Sequence, residues 1–353
     1  MSAPQVTISQ RGHQLVPYVA SLSATRNDRL GAEAHATAKG NRSIAAVHRG
    51  VVTALSQGDV SNAMAPVTFD LAEVLRPAIV LGRLQGLRRV PFRVRLLAQS
   101  TGLGAAWTAE GAPIPAHAAG FRFVEELTPL KVSGISVISS ELLTQAIPAS
   151  YPVIAADIVA GVAEAIDVSF LDPSNSGSAV EPASITAGAP SFESGGATLA
   201  AIDSDLQRLV GSLTDANNSL ATASWIMRPR TAAFLSTLRG SGGAAAYPLI
   251  TARGGTLMGL PVVTSANLIP SGSPGESLIV LVEASEVCLA DDDGGDVEVS
   301  SATSLQLSDT PGAGGQAEIS LWQNNLVAIK STRITNWAVR RATSVAVLRS
   351  VMY

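Results

Sequence analysis

The sequence holds little charge and few aromatic rings. Asp, Glu, Lys and Arg make up 15% of its 353 residues and Phe, Trp and Tyr 4%, where an average soluble domain carries about 25% charged residues. A monomer in water keeps its surface charged and free of broad apolar patches. A chain that is 46% hydrophobic with this little charge is therefore expected to cover much of its surface with other protein. A large-cored, alanine-rich enzyme is the competing reading of the same composition. Cys288 is the only cysteine, which excludes an internal disulfide and any multi-cysteine metal site. No window approaches the roughly 18–20 uninterrupted apolar residues of a membrane span, and Met1 to Gln10 lack the basic start and apolar run of a secretory signal. The chain is expected to be made and kept in the cytoplasm.

What is present is length and a charge polarity. The chain is long enough for two compact domains, or one large domain with arms, and for a sizeable core. The net charge of −4 conceals two unlike parts: residues 1–100 carry 12 Lys and Arg against 5 Asp and Glu, net +7, and residues 101–353 carry 12 against 23, net −11. A basic arm facing nucleic acid and a basic arm lying on the acidic body of a neighbouring copy both fit this asymmetry, as does a solvated pattern without a partner.

No repeat of solenoid period occurs, and the chain divides into unlike pieces. Residues 1–65 are polar and alanine-rich, with helical spacing of Ile44, Val47, Val51, Val52 and Leu55 predicting a helix from Arg42 to Gln57. Phe92–Leu97 and Phe121–Glu125 alternate at period two and read as strands. Between them Thr108–Gly120, with Gly111, Pro113, Pro115 and Gly120, suits the exposed tip of a long hairpin. A two-stranded projection is marginal alone in water and needs another surface to lie on. A strand is expected over Leu130–Ile138, and a helix over Ala149–Leu171 with Ile154, Ile158, Val162, Ala165, Ile166 and Phe170 as one apolar stripe. At 1.5 Å per residue such a helix is about 30 Å long. A loop over 172–197 precedes a helix over Leu199–Leu213, a short buried strand at Trp225–Met227 and a helix from Pro229 to Leu238. Glycines at 240, 242, 243, 254 and 255 bracket a flexible loop. Short strands follow at Pro261–Thr264 and Leu278–Val282, and Asp296–Tyr353 is mainly β-like, notably Ala317–Ile329 and Ile334–Val339.

No catalytic constellation is visible. His13, His35, His48 and His117 lack a carboxylate or second histidine at ligand spacing. Gly102–Trp107 begins like a dinucleotide fingerprint but has Trp107 where the third glycine must stand, so it reads as a strand turn. Asp291, Asp292, Asp293 and Asp296 flank Gly294-Gly295, yet glycine holds the fifth ligand position of a calcium loop and Ala302 the place of its bidentate glutamate. An acidic turn between strands is expected there. No serine sits in a Gly-x-Ser-x-Gly elbow, and Cys288 follows an apolar strand with no histidine near it in sequence.

Trp107–Glu110, Lys131–Leu143, Trp225–Thr231 with Met258–Val263, and Asn325–Val339 are four signatures whose order, over roughly Phe69 to Leu348, resembles the major capsid proteins of tailed phages with the Hong Kong 97 fold. The first is Trp107-Thr108-Ala109-Glu110 with its Gly/Pro tip, which looks like that family's extended loop. Lys131–Ile138 followed by Ser140-Glu141-Leu142-Leu143 is similar to the strand and helix start before the long spine helix. Trp225-Ile226-Met227-Arg228-Pro229-Arg230-Thr231 and the later Met258-Gly259-Leu260-Pro261-Val262-Val263 resemble a motif pair around a glycine-rich loop. Asn325–Lys330, Arg333 and Trp337–Val339 are like the closing strands.

The resemblance implies an α+β subunit: an N-terminal arm (1–65), a connection (66–90), an extended β-hairpin loop (91–127), a peripheral domain with the spine helix (128–198), an axial domain (199–315) and a return to the peripheral domain (316–353). It implies many copies of the chain as partners, in pentamers and hexamers, enclosing DNA without sequence specificity, with cement and portal proteins as further partners and no membrane. Contacts between copies are expected at Trp107, Glu110, Pro113, Pro115, Phe121, Phe123, Gly242 and Gly243, and arm contacts at Arg11, Arg26, Arg29, Arg42 and Arg49. No catalytic residue, cofactor or metal is expected. Some family members weld the shell by an isopeptide bond from a lysine on the extended loop. Here the lysines are Lys39, Lys131 and Lys330, none within that loop, so no such crosslink is expected. The 1–65 segment is short for a scaffolding domain and is expected to stay on the particle as an arm. An encapsulin-like compartment of the same fold and a cytoplasmic α/β enzyme are the alternatives.

Overall fold

A computed structural model describes residues 21, 29–39, 75, 78–101, 107–108, 120–124, 126–145, 151–268, 277–308 and 317–353. In chain order its helices are α1 (Arg29–Ala38), α2 (Val80–Arg83), α3 (Ser140–Gln145), α4 (Tyr151–Leu171), α5 (Leu199–Asp215) and α6 (Pro229–Thr237). Its strands are β1 (Arg88–Arg89), β2 (Leu96–Thr101), β3 (Gly120–Val124), β4 (Lys131–Ser139), β5 (Ser191–Glu193), β6 (Ala223–Met227), β7 (Ile250–Thr251) and β8 (Gly254–Leu257). They continue with β9 (Leu260–Thr264), β10 (Ser277–Glu283), β11 (Val287–Ser300), β12 (Ser304–Leu305), β13 (Ile319–Ser320), β14 (Leu326–Val339) and β15 (Val345–Val351). These residues form two compact units. Unit 1 takes the described residues of Met1–Arg83, Lys131–Asp167 and Asp292–Ile334, and unit 2 those of Leu84–Leu130, Val168–Asp291 and Thr335–Tyr353.

In unit 1, β4 pairs antiparallel with β14 from Lys131↔Ile334 to Ser139↔Leu326. Because side chains alternate across a strand, Lys131, Ser133 and Ile135 are exposed while Val132 and Gly134 turn inward. A Cβ on Gly134 would sit 3.7 Å from Ser331 Oγ and 3.8 Å from Val162 Cγ2, so α4 packs on that inner face. Within the described part of α4, Ile158, Val159, Val162, Ala163 and Ile166 are buried in unit 1. The expected stripe needs one correction: Ala165 is exposed. At 100° per residue the buried arc is centred past Val162 toward Ile166, and Ala165 falls off its edge. Asp167, fully buried, accepts a 2.7 Å hydrogen bond from the Val80 amide and so holds the single turn of α2.

Unit 2 is built on a seven-stranded mixed sheet, β5-β15-β10-β6-β9-β8-β7. Every residue of β6 and β10 is buried, which is why both read as continuous apolar runs rather than alternating ones. Helices α5 and α6 cover one face. Ile202, Leu206, Leu209, Leu213, Ala232 and Leu235 pack with Trp225, Met227, Ile279, Leu281, Ala346 and Leu348. Helix α5 is capped by Thr198, whose side chain accepts from the Ala201 amide, and α6 starts on Pro229. In β8, opposite Ile250 of β7, Gly255 has φ +136°, and a Cβ there would collide with the Leu249 carbonyl oxygen; only glycine fits.

Several expectations are corrected. Helix α1 lies N-terminal to the predicted arm helix, and Arg42–Gln57 is outside the described residues. The first hairpin strand starts at Leu96 rather than Phe92, because Phe92-Arg93 form a turn with Arg93 at φ 62°. Asp291–Asp296 are not a turn but lie within the continuous strand β11. The run Ala317–Ile329 is broken by a turn over 321–325. The 172–197 loop contains β5, which joins the sheet edge parallel to β15.

Candidate assembly surfaces

The hairpin expected to reach outward is present at its root. Strands β2 and β3 pair antiparallel from Leu96↔Val124 to Thr101↔Gly120, with an irregularity after Gln99. Its base is fixed by the Arg93 amide donating to the Leu127 carbonyl at 2.9 Å. A loose Arg95–Glu126 ion pair at 3.8 Å adds little, because its exposed partners are screened by water. Phe121 and Phe123 occupy the β3 positions opposite Gln99 and Leu97. Trp107 lies beyond the paired strands with its side chain fully in solvent. Glu110, Pro113 and Pro115 fall outside the described residues, as do Gly102–Ala106, His13, His48, His117, Arg11, Arg26, Arg42 and Arg49. Arg29 is the first residue of α1.

Gly242 and Gly243 sit at the tip of an ordered turn. The Gly240 amide donates to the Ala244 carbonyl and the Gly243 amide to that of Gly240, both at 2.9 Å, and Arg239 bridges Ala245. Open space surrounds both glycines, and Gly243 has φ +77°. The loop read as flexible from its glycines is therefore a closed turn presenting bare backbone.

The structure adds exposed apolar residues that sequence reasoning passed over. In unit 1 Trp322 is 69% exposed on the 321–325 turn, with Leu142 and Ile135 also bare. The signal was legible: Trp322 is followed by Gln-Asn-Asn, a polar turn sequence, and Asn325 takes φ 54°. In unit 2 Leu249 and Met258 are bare near the β7 edge. Met258, at φ 53°, and Gly259, at φ 80°, are the two central residues of the β8–β9 turn. A type I′ turn requires that left-handed pair. Asn, Asp and Gly are its usual residues, so a bulky apolar Met at the first position costs local strain.

The buried acids of unit 2 are engaged in holding loops. Asp205 accepts from Ser194 Oγ, from the Gly195 amide and from Arg208. Glu283 accepts from the Thr222 amide and hydroxyl and from Ser285 Oγ. Glu286 faces Arg341 at 2.9 Å and Arg340 at 3.6 Å. Burial pushes the Cys288 thiol up, so it stays protonated and packs as a small apolar group. Burial likewise raises the Tyr353 phenol to about 12, and raises Tyr247, whose hydroxyl also donates to Asp203. Among the described residues no group of three or more His, Cys, Asp or Glu side chains is placed to hold a metal ion. No described helix is long and apolar enough to cross a membrane.

Comparison with known proteins gives this geometry its context. The model of the phage capsid family matches residues 91–349. A capsid polyprotein of Pseudomonas phage PAJU2 is 38% identical over 294 residues, covering 81% of this chain and 44% of the relative; the chain thus spans less than half the length of that curated relative. A solved structure from Mycobacterium phage Ogopogo matches with a TM-score of 0.56 at 19% identity, covering 76% of this chain and 91% of that one. One from Gordonia phage Cozz matches at 0.55 and 17%, covering 76% and 85%. The capsid of a native GTA particle matches at 0.52 and 15%, covering 78% and 90%. The mixed α+β fold is that of phage capsid structures, a class of structural proteins rather than enzymes. The chain belongs to the phage capsid family, that of Hong Kong 97-type major capsid proteins.

Proposed function

We propose that the chain is the repeating subunit of a phage head, assembling with many copies of itself into a closed icosahedral shell around packaged DNA and residing in the virion. The observation that carries this is the 38% identity to a capsid polyprotein across 81% of the chain. The scant charge supports it, because subunits of obligate assemblies bury on the order of 2,000–5,000 Å² at relatively apolar interfaces.

In this reading α4 is the spine helix of a peripheral domain, the seven-stranded sheet with α5 and α6 forms the axial domain, and the β2–β3 hairpin is the base of the extended loop. Trp107, Glu110, Pro113, Pro115, Phe121 and Phe123 on the hairpin, and Gly242 and Gly243 at the glycine turn, meet neighbouring copies. Trp322, Leu249 and Met258 join them because their apolar surface is bare in the single chain. Arg11, Arg26, Arg29, Arg42 and Arg49 supply the basic arm. Heterologous contacts close into a shell only when the rotation between copies is right, and a projecting hairpin and arm let one sequence serve differing positions. Negative-stain electron microscopy of the purified chain tests the proposal. Closed shells of uniform size are expected; small discrete oligomers would overturn it, and shells filled with protein would point to a cargo compartment.

A further inference from the structure

Unit 2 contains a cavity of about 780 Å³ walled by Glu126–Leu130, the Ser176–Ala187 loop, and the end of β14. Its walls are tied together. Trp337 Nε1–H donates to the Ala183 carbonyl at 2.8 Å, and Asn336 Nδ2 to that of Thr128 at 2.6 Å. Trp337 also meets Phe170 edge-on with centroids 5.3 Å apart. Asn175 organises the loop by donating to the carbonyls of Ser169 and Pro182 and accepting from the Gly177 amide. The cavity is therefore pre-formed. Its ionisable lining groups are Glu126 and Glu181; no Lys, Arg or His lines it, and the cation that approaches Glu126 is the exposed Arg95, loosely paired at 3.8 Å. Glu181 Oε1 is held in place by Ser169 Oγ at 2.6 Å and Asn175 Nδ2 at 3.2 Å. A carboxylate accepts at about four lone-pair sites, so capacity remains for a further donor.

The same chain carries the complementary chemistry. Residues 1–65 hold Arg11, Arg26, Arg29, Lys39, Arg42 and Arg49 against Asp28, Glu33 and Asp59, and the 28 residues before α1 could, if extended, reach roughly 90 Å. The guanidinium fork of arginine suits paired carboxylate acceptors better than an ammonium does. We infer that this cavity seats an arginine of the N-terminal segment of a second copy, with Glu126 and Glu181 as its acceptors. The inference rests on the capsid reading and names the surface on which the basic arm is anchored.

The test pairs a cysteine at the exposed cavity residue Ala179 (A179C) with one beside Arg11, Arg26, Arg42 or Arg49 in turn (Q10C, N27C, S43C, H48C), in the full chain co-assembled with wild type. Cys288 is buried, so the introduced thiols are the reactive pair. Mild oxidation of intact shells is expected to give interchain disulfide dimers for at least one pair, reduced severalfold when Glu126→Gln and Glu181→Gln are added. Shells with no interchain disulfide from any pair, disulfides only within single chains, or dimers unaffected by the two Gln substitutions would each overturn the inference. Wild-type protein that forms no shells at all would instead refute the capsid reading on which it stands.

Discussion

Trp225 shows how one side chain organises a unit. It is fully buried between the sheet and the α5–α6 layer, and its indole N–H donates to the Leu257 carbonyl at 3.0 Å, tying β6 to the β8–β9 turn across a parallel neighbour. Trp225→Ala removes both the packing and the donor and is expected to cost about 3–5 kcal/mol. Trp225→Phe keeps most of the volume but strands a buried acceptor, at about 1–3 kcal/mol. Urea denaturation of the unassembled subunit checks the order of the two. Tyr353 plays a similar part from the chain's last position. Its ring lies beside Phe234 at 5.2 Å, and its backbone carbonyl accepts from Thr231 Oγ1 at 2.8 Å. Burial raises its phenol from 10 to about 12. A raised folded pKa means that the unfolded chain loses the proton first. The stabilisation is therefore whole below pH 10 and disappears as pH rises toward 12. Denaturation midpoints measured across that window should fall, and Tyr353→Phe should flatten the slope.

At the scale of elements, what was legible followed from periodicity and punctuation. Helix α5, strand β6, helix α6 and strand β10 stood out because the polar loop before α5, Pro229 and unbroken apolar runs mark their starts and burial. Helix α1 did not, since its buried positions Ala32 and Ala36 carry too little hydrophobic contrast to draw a stripe. Ala165 was misplaced for the same reason: alanine fits a buried or a bare helical position equally well. The Asp291–Asp296 stretch misled because acid and glycine are the residues of turns, whereas pairing by neighbouring strands overrode that preference and kept β11 continuous. Of the surfaces proposed for assembly, the β2–β3 pairing was legible from alternation on either side of a Gly/Pro segment and the 321–325 turn from its Gln-Asn-Asn, while the exposure of Trp322 and Met258 was not, because exposure depends on packing. The loop after α4 reads as polar linker, yet Asn175 makes it a compact body. Asn175→Ala removes the hydrogen bonds to Ser169, Glu181, Pro182 and Gly177. The expected result is faster hydrogen exchange at the Gly177 amide with the β6 and β10 amides unchanged, and a stability loss of about 1–3 kcal/mol.

For the whole molecule, the question is how copies hold together. A net charge of −4 gives no large counterion-release term for holding DNA, so the proposed function assigns the body containment by a closed wall and leaves any contact with DNA to the basic arm. Bare tryptophan on a rigid turn is the kind of residue that dominates an interface. Trp322→Ala is expected to leave the subunit's melting temperature nearly unchanged while raising the protein concentration needed for shell formation tenfold or more, measured by sedimentation. Covalent welding is a separate matter. Lys330 is engaged by Glu298 at 2.8 Å on the unit 1 sheet, Lys131 opens β4 opposite Ile334, and Lys39 follows α1. Residues 40–130, which contain the hairpin, carry no lysine, so the hairpin has no lysine amine to form an amide with a neighbour. Shells boiled in detergent with reductant should therefore run as the single 36.1 kDa chain; a ladder of multiples surviving that treatment would show a crosslink chemistry other than lysine on the hairpin. If that outcome is found, cohesion rests on contacts that denaturant reverses, and shells should reassemble when it is withdrawn.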